Sequence, residues 1–239
     1  EIEALADVAT VFRNGRKIET FRKGDRSVHQ IIEMMIGREV SHQYPPKPPY
    51  RSDREPALTV DSLGWGRELS NISFAAGKGE IVGLGGLDGQ GQRELLLALF
   101  GVLRGVDGTV TVGGSRLHLA GPRRAMTAKL PVALIPEDRK VEGLMLPMSV
   151  RDNLTLASLS QFRSGVGIDS SKESQAVATM IERMHVKAPD VTAPVATLSG
   201  GNQQKVVLAK WLMTEPGIIL LNDPTRGIDV GTKQEIYKL

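Results

Sequence analysis

The residues with the clearest chemical potential lie in a glycine-rich segment, Ile81-Val-Gly-Leu-Gly-Gly-Leu-Asp-Gly-Gln-Gly-Gln-Arg93. The apolar residues at its start predict a short strand, and a helix is predicted to follow at residues 94–100. Glycines allow neighbouring backbone N–H groups to converge on one point, and the N-terminus of a helix favours negative charge. The spacing of Gly86 and Gly91, with four residues between them, therefore predicts a cradle for phosphate groups.

Two side chains of this segment differ from those of a nucleotide-binding P-loop. After the second glycine the P-loop pattern has Lys and then Ser or Thr, where this chain has Gln92 and Arg93. A neutral amide cannot pair with the β- and γ-phosphates as an ammonium does, and a guanidinium cannot ligate Mg²⁺. The candidate nucleotide-binding residues are Gly86, Leu87, Asp88, Gly89, Gln90, Gly91, Gln92 and Arg93.

A second candidate motif precedes a predicted helix at residues 201–213. Its residues are Leu198, Ser199, Gly200, Gly201, Asn202, Gln203 and Gln204. Ser199 is a favourable N-cap, and the glycines leave the first N–H groups of the helix open to an anion. Taken alone, a Ser-Gly-Gly sequence is more often only a cap and a turn.

The third candidate motif combines an apolar strand, residues 218–221, with polar residues at its end. The sequence continues Asn-Asp-Pro-Thr-Arg-Gly-Ile-Asp from Asn222 to Asp229. In parallel sheets, ligands bind at the carboxyl ends of the strands, so Asn222 and Asp223 are candidates for such a site. Taken alone, this segment could also be a strand with an ordinary turn.

The elements expected to position these motifs alternate between strands and helices. Strands are predicted at residues 58–60, 72–75, 81–84, 109–112, 132–135 and 218–221, and helices at 94–100, 122–129, 149–154, 171–185 and 201–213. This alternation predicts an α/β fold with a mostly parallel central sheet covered by helices. A tail precedes it at residues 1–42, a proline-rich linker spans 43–56, and the main domain is 57–239.

Composition limits the classes of protein to be considered. The chain has 239 residues, a net charge of +3 and no cysteine. Without cysteine there are no disulfides and no thiolate metal ligands. Lysine and arginine are scattered among acidic residues, so no nucleic acid is expected as a partner. No apolar run reaches the ~20 residues that a membrane-spanning helix needs.

Together the three motifs resemble, in type and order, those of an ABC-type ATPase cassette of the P-loop NTPase class. The resemblance is closest to the second cassette of tandem ATP-binding subunits of bacterial ribose, galactose and xylose importers. It is carried by Pro136-Glu-Asp-Arg-Lys140, Ser149-Val-Arg-Asp-Asn-Leu154, Leu198-Ser-Gly-Gly-Asn-Gln-Gln-Lys205 and Pro224-Thr-Arg-Gly-Ile-Asp-Val-Gly231. Residues 1–42 resemble the end of the first cassette, and the second cassette resembles one truncated at its C-terminus.

The resemblance implies cofactors, partners and a location. The cofactors are ATP and Mg²⁺. The partners are the first cassette, transmembrane permease subunits and, indirectly, a sugar-binding protein. Such a subunit is cytoplasmic and lies against the inner face of the cell membrane. In this family two cassettes close head to tail, with ATP between the P-loop of one and the Leu-Ser-Gly-Gly signature motif of the other.

Roles for individual residues also follow from the resemblance. Asn222 takes the place of the aspartate on the magnesium side, and Asp223 takes the place of the catalytic glutamate. Glu137 lies at the Q-loop position, where most cassettes have glutamine. Asp229 belongs to the D-loop, and Trp65 is the candidate for stacking on adenine.

Four substitutions at one nucleotide site predict that this site is degenerate. They are Gln92, Arg93, Asn222 and Asp223. We expect weak nucleotide binding and very low ATPase activity from the chain alone, with the signature motif completing the site of the other cassette in trans. The alternatives are a regulatory cassette that serves as a scaffold for the permease, and a soluble tandem ABC ATPase that is not tied to transport.

Overall fold

The computed structural model describes residues 2–13, 15–37 and 53–238, together with Pro46 and Pro49. The chain divides into two compact units, one made of Glu1–Pro48 and Ile228–Leu239 and the other of Pro49–Gly227. Most of the predicted proline-rich linker, residues 43–56, lies outside the described residues. The domain boundaries inferred from the sequence stay a prediction.

The regular elements alternate between helix and strand along much of the chain. In order they are α1 (Ile2–Leu5), β1 (Val8–Arg13), β2 (Arg16–Arg22), α2 (Val28–Ile36), β3 (Pro56–Trp65), β4 (Leu69–Gly77), α3 (Gln92–Leu99), β5 (Asp107–Val112), β6 (Ser115–Arg116), α4 (Pro122–Met126), β7 (Val132–Ile135), α5 (Val150–Thr155), β8 (Arg163–Ser164), β9 (Gly167–Ile168), α6 (Ser170–Arg183), α7 (Gly200–Leu212), β10 (Ile218–Leu221) and α8 (Val230–Tyr237). In the described part of the chain, no helix is both long and apolar enough to cross a membrane.

The first unit contains a hairpin and a helix. Strands β1 and β2 pair antiparallel, and Asn14 between them lies outside the described residues. Helix α2 begins with a capping box, in which the Ser27 hydroxyl accepts from the Gln30 N–H at 3.3 Å and the Gln30 side chain accepts from the Ser27 N–H at 3.0 Å. Gly37 ends the helix in the left-handed conformation, as expected.

The second unit has a four-stranded antiparallel sheet, a parallel pair of strands and a short antiparallel pair, β8 with β9. Four strands pair antiparallel in the order β4-β3-β5-β6, and β7 pairs parallel with β10. The parallel register places Val132 beside Ile218 and Ile135 beside Leu221. The predicted α/β class is confirmed, while parallel pairing among the described strands is confined to β7 and β10.

The strand predicted at residues 81–84, ahead of the glycine-rich loop, is not formed, so that prediction is wrong. Ile81 is 95% exposed, and this segment has no regular structure. Glycine has no side chain to pack and loses much backbone freedom when it is ordered, so Gly83 and Gly85 weaken a strand here. A Cβ at either glycine would meet nothing within 4 Å, which shows that no neighbouring element packs closely against them.

Two hydrophobic clusters form the core of the second unit. The first packs α3 against the antiparallel sheet and β7, and the second is formed mainly by α5, α6 and α7. Trp211 contacts both clusters and meets the Phe100 ring edge to face, with ring centroids 5.5 Å apart. Helix α7, which carries the second candidate motif at its start, is therefore anchored along its length in the core.

Lys210 is a buried cation on α7. It is 8% exposed, and its Nζ donates to the Gly143 carbonyl and lies 5.5 Å from the centroid of the Trp211 ring. Burial lowers the pKa of Lys210 from its ordinary value of 10.5 to about 8. Between these two values the unfolded chain binds more protons than the folded chain, so this group makes the folded state more stable as the pH rises.

Replacing Lys210 by methionine is expected to remove this pH dependence. The difference in unfolding free energy between wild type and Lys210→Met should change by about 3 kcal/mol between pH 7.5 and 10.5, in favour of the wild type at the higher pH. At neutral pH, methionine avoids the free-energy cost of burying a charged ammonium group. It also leaves the Gly143 carbonyl without its donor, which offsets part of that gain in stability. Urea unfolding of both proteins across this range measures the difference. A constant difference would contradict the prediction.

Candidate functional site

The glycine-rich loop leads directly into α3, as its sequence predicts. Gly91 precedes the helix with a φ of 95°, and a Cβ at this position would lie 2.9 Å from the Glu68 carbonyl oxygen. Only glycine suits this combination of positive φ and close backbone approach. The five preceding residues are exposed: Gly86, Leu87, Asp88, Gly89 and Gln90.

Gln92 lies folded back over the loop that was predicted to hold phosphate. Its Nε2 donates to the Leu87 carbonyl at 3.2 Å. A Cβ at Gly86 would overlap the same amide group, which shows how closely the side chain approaches the loop. The amide thus lies against the loop at Gly86 and satisfies the Leu87 carbonyl.

Arg93 is paired with a carboxylate from a distant part of the sequence. Its Nη2 lies 2.6 Å from Oε1 of Glu142, in the helical turn that follows β7. Glu137, at the Q-loop position, forms a second ion pair with Arg226 from the loop after β10. Each guanidinium of these two pairs already has an anionic partner within the protein.

These ion pairs border a cavity of about 500 Å³. Its lining residues are Arg93, Glu137, Asp138, Arg139, Lys140, Glu142, Arg226 and Gly227. Four of them are cationic and three are anionic. The structure therefore brings together the end of the glycine-rich loop, the segment after β7 and the loop after β10, but Asn222 and Asp223 do not line this cavity.

Asn222 and Asp223 lie at the carboxyl end of β10, where the sequence placed them. The Asn222 N–H donates to the Ile135 carbonyl at 3.0 Å and so extends the parallel pairing by one residue. Asp223 is exposed and has a φ of 40°. Its carbonyl accepts from the Arg226 N–H at 3.0 Å, which closes a tight turn. Asp and Asn tolerate this left-handed conformation better than most residues.

The second motif presents Ser199 at the N-cap position of α7. The side chain makes no hydrogen bond to the helix backbone; instead, its Oγ accepts from Asn202 Nδ2 at 3.0 Å. Asn202 in turn accepts from the Lys187 N–H at 2.8 Å. Because Ser199 does not cap the helix with its side chain, this hydroxyl leaves the first N–H groups of α7 to other acceptors.

Burial divides the motif into exposed and supporting residues. Ser199 is exposed, Gly200 and Asn202 are half-buried, and Gly201, Gln203 and Gln204 are buried. The Gln203 amide donates to the Val195 carbonyl at 3.4 Å, and Leu198 packs on the second hydrophobic cluster. The face that a ligand can reach therefore consists of Ser199, Gly200 and Asn202.

Trp65 ends β3 with its ring half-buried against the first cluster. Its indole N–H donates to the Arg104 carbonyl at 2.9 Å. This bond fixes the ring in the protein, and its role in stacking on adenine stays a prediction.

Asp229 belongs to the other unit, where it caps α8. Its carboxylate accepts from the Thr232 N–H at 2.9 Å and from the Thr232 hydroxyl at 2.8 Å. Partial burial opposes ionisation of Asp229, but these hydrogen bonds outweigh it and lower its pKa. The carboxylate has a structural function at this helix N-terminus.

Comparison with known proteins identifies the family. The family described as ABC transporter matches residues 69–226, which is more than half of the chain. The chain belongs to the ABC transporter family. All three candidate motifs begin within the matched range.

Curated relatives align along the whole chain. The ribose import ATP-binding protein RbsA 1 of Rhizobium johnstonii is 58% identical over 100% of this chain and 47% of its own length. The arabinose import ATP-binding protein AraG 2 of Burkholderia ambifaria is 43% identical over 100% of this chain and 46% of its own length. The chain spans about half the length of the curated relatives it matches.

Solved structures show the same fold at low sequence identity. An ATP-binding cassette dimer in a post-hydrolysis state with ADP and phosphate has a TM-score of 0.63 and 19% identity, covering 75% of this chain and 79% of that one. A nucleotide-free cassette from an ABC transporter has a TM-score of 0.64 and 18% identity, covering 77% and 75%. Proteins of this ABC ATPase fold bind ATP with Mg²⁺.

Gln92 and Arg93 offer neither the ammonium nor the hydroxyl of a P-loop at the local site. Within the described ranges, no group of three or more His, Asp or Glu side chains is placed to hold a metal ion. Gln92 is folded onto the loop, and Arg93 is neutralised by Glu142. Hard oxygen ligands are what Mg²⁺ requires, and neither Arg93 nor the Gln92 amide nitrogen provides them.

The sequence did not indicate that Glu142 and Arg226 would form ion pairs at this site. Glu142 pairs with a residue 49 positions earlier, and Arg226 pairs with Glu137 across the parallel strands. No local pattern signals such pairs, because they depend on where β7 and β10 place the following loops. The residues were visible in the sequence, but their partners were not.

Proposed function

We propose that this cassette is the signature-donating half of the ATP-binding, energy-coupling subunit of a monosaccharide importer. Its signature motif completes an ATP site whose P-loop belongs to another cassette of the same subunit. Its own nucleotide site is degenerate and hydrolyses ATP very slowly. The subunit uses ATP and Mg²⁺ at the other site and works with transmembrane permease subunits and a sugar-binding protein at the inner face of the membrane.

The contrast between the signature motif and the local nucleotide site carries this proposal. At the signature motif, Ser199 is exposed and its side chain makes no hydrogen bond to the helix backbone. At the local site, Gln92 occupies the loop, and the guanidinium of Arg93 is paired with Glu142. The start of α7 presents an exposed hydroxyl, whereas at the start of α3 the Gln92 amide and the Arg93 guanidinium already have partners within the protein.

The relatives support both the substrate class and the two-cassette arrangement. Their names describe ribose and arabinose import ATP-binding proteins, and they are about twice as long as this chain. The Leu-Ser-Gly-Gly-Asn-Gln-Gln sequence is complete here, although the local site has lost its lysine and its metal ligand. A cassette with this combination can take part in ATP hydrolysis only when it is paired with a functional P-loop of another cassette.

A second candidate function is a non-hydrolysing regulatory cassette. The pair between Glu137 and Arg226 favours it, because an internal ion pair at the Q-loop position can hold this region in place without nucleotide. In that case the cassette would act as a scaffold for the permease. Restoring the four lost side chains would then leave transport-linked turnover unchanged.

Nucleotide stoichiometry tests the degenerate site. Equilibrium dialysis of the two-cassette protein with labelled Mg·ATP is expected to show one tightly bound nucleotide per chain, because the local site lacks the phosphate and metal ligands. A control variant restores them with Gln92→Lys, Arg93→Ser, Asn222→Asp and Asp223→Glu, and should show a second bound nucleotide. Two equivalent sites in the wild type would overturn this part of the proposal.

A further inference from the structure

Arg139 connects the signature motif to the loop after β10. Its Nη1 donates to the Arg226 carbonyl at 3.1 Å, and its Nη2 is 3.4 Å from the Gly227 carbonyl oxygen. A Cβ at Gly200 would lie only 2.8 Å from Nη2, so the guanidinium lies directly against the first residue of α7. One side chain thus contacts both the signature helix and the segment that leads from β10 into the D-loop.

The contact requires both glycine and arginine. Any side chain at Gly200 would displace the guanidinium. The planar guanidinium carries several donors in a fixed fork and can reach two carbonyls at once, which a single ammonium cannot do in the same geometry. The Nε of Arg139 is buried and has no hydrogen-bond partner.

We propose that Arg139 is a positioning residue for the signature motif. It fixes the start of α7 relative to the loop after β10, so that Ser199 and Gly200 reach the nucleotide of the other cassette in one defined position. This inference rests on the proposed function, because it assumes that the signature motif completes a site in trans. In this role Arg139 acts through the signature motif and not by contact with the nucleotide or the attacking water.

Loss of this residue is expected to reduce kcat rather than raise KM. The first cassette supplies the P-loop that binds ATP, and the signature motif engages only as the two cassettes close for hydrolysis. An interaction made mainly in the reacting state lowers kcat when it is removed. A misplacement of about 1 Å can cost as much as a hundredfold in rate, and a partial loss of position should cost about tenfold.

The test is steady-state ATPase kinetics of the two-cassette protein with Arg139→Ala. We expect kcat to fall about tenfold with KM changed less than twofold. Arg183→Ala removes the same side chain from an exposed position on α6 and should change neither constant. Arg139→Lys keeps the charge but loses the fork, and should remain several-fold slow.

Chemical rescue separates positioning from a general loss of folding. Millimolar guanidinium should restore part of the kcat of Arg139→Ala, while sodium chloride at equal ionic strength should not. Wild-type kcat in Arg139→Ala or Arg139→Lys, or the absence of rescue, would overturn the inference. The proposed function fails separately: it is contradicted if Ser199→Arg leaves the ATPase rate unchanged.

Discussion

Replacing Ser199 by arginine in the two-cassette protein is expected to lower the ATPase rate by about a hundredfold. The exposed Ser199 hydroxyl stands at the start of α7, beside the N–H groups that would face the nucleotide of the other cassette. A long charged side chain at this position would keep the cassettes from closing on the phosphate. Steady-state phosphate release by the purified protein measures the effect.

Two further variants divide this effect into its parts. Ser199→Ala removes only the hydroxyl, which also accepts from Asn202, and is expected to cost about tenfold. Ala196→Arg adds the same side chain at an exposed position three residues earlier and should leave the rate within twofold. If Ser199→Arg and Ala196→Arg have equal rates, the signature motif of this cassette does not take part in a working site.

Neutralising Glu137 and Glu142 together is expected to create an additional anion-binding site on this cassette. Each carboxylate is paired with an arginine of the cavity, Glu142 with Arg93 and Glu137 with Arg226. Glutamine keeps the size of the side chain but removes the negative charge, so the paired guanidinium loses its anionic partner. A freed guanidinium forms charge-assisted hydrogen bonds to phosphate, each worth roughly tenfold in affinity. With two guanidinium groups freed, the affinity for a polyphosphate should therefore rise about a hundredfold.

Magnesium-free tripolyphosphate is the suitable probe for this variant. Because a guanidinium binds phosphate without a metal, a probe without magnesium tests the arginines alone. Equilibrium dialysis at constant ionic strength should find one more bound tripolyphosphate per chain in Glu137→Gln/Glu142→Gln than in the wild type. The matched control Glu182→Gln/Glu215→Gln makes the same charge change at exposed positions and should gain no site. Equal stoichiometry in all three proteins would show that the ion pairs do not mask the cavity.

The contacts of Gln92 and Arg93 show what the two substituted side chains of the glycine-rich loop do in the folded protein. These two residues remove a lysine and a hydroxyl group from the loop, and they also form contacts of their own. Gln92 closes the loop with its own amide, and Arg93 joins the loop to the segment after β7 through Glu142. Both side chains therefore already have partners within the protein, as the proposed degenerate site requires.

Local signals in the sequence predicted many of the elements and the order of the motifs. The apolar strands at 132–135 and 218–221 were both found where they were predicted. Such signals work because capping and apolar periodicity act between residues that are close in the chain. The α/β class and the family resemblance followed from their order.

The strand at residues 81–84 shows where this reasoning fails. Its apolar residues suggested a buried strand, but strand formation depends on a partner, which local sequence does not reveal. With Gly83 and Gly85 in the segment there are few side chains to pack, and Ile81 is left exposed. The N-cap at Ser199 is a similar case. Its residue type fits the position, but the hydroxyl accepts a hydrogen bond from the Asn202 side chain and not from the helix backbone.

The sequence by itself determined the family, the three motifs and the loss of the lysine and hydroxyl at residues 92 and 93. Only the tertiary structure decided what replaces them. The pairs Arg93–Glu142 and Arg226–Glu137, and the position of Arg139 against Gly200, join segments that are far apart in the chain. The parallel strands β7 and β10 end at one edge, so the loops that follow them, which carry Glu137 and Arg226, come together there.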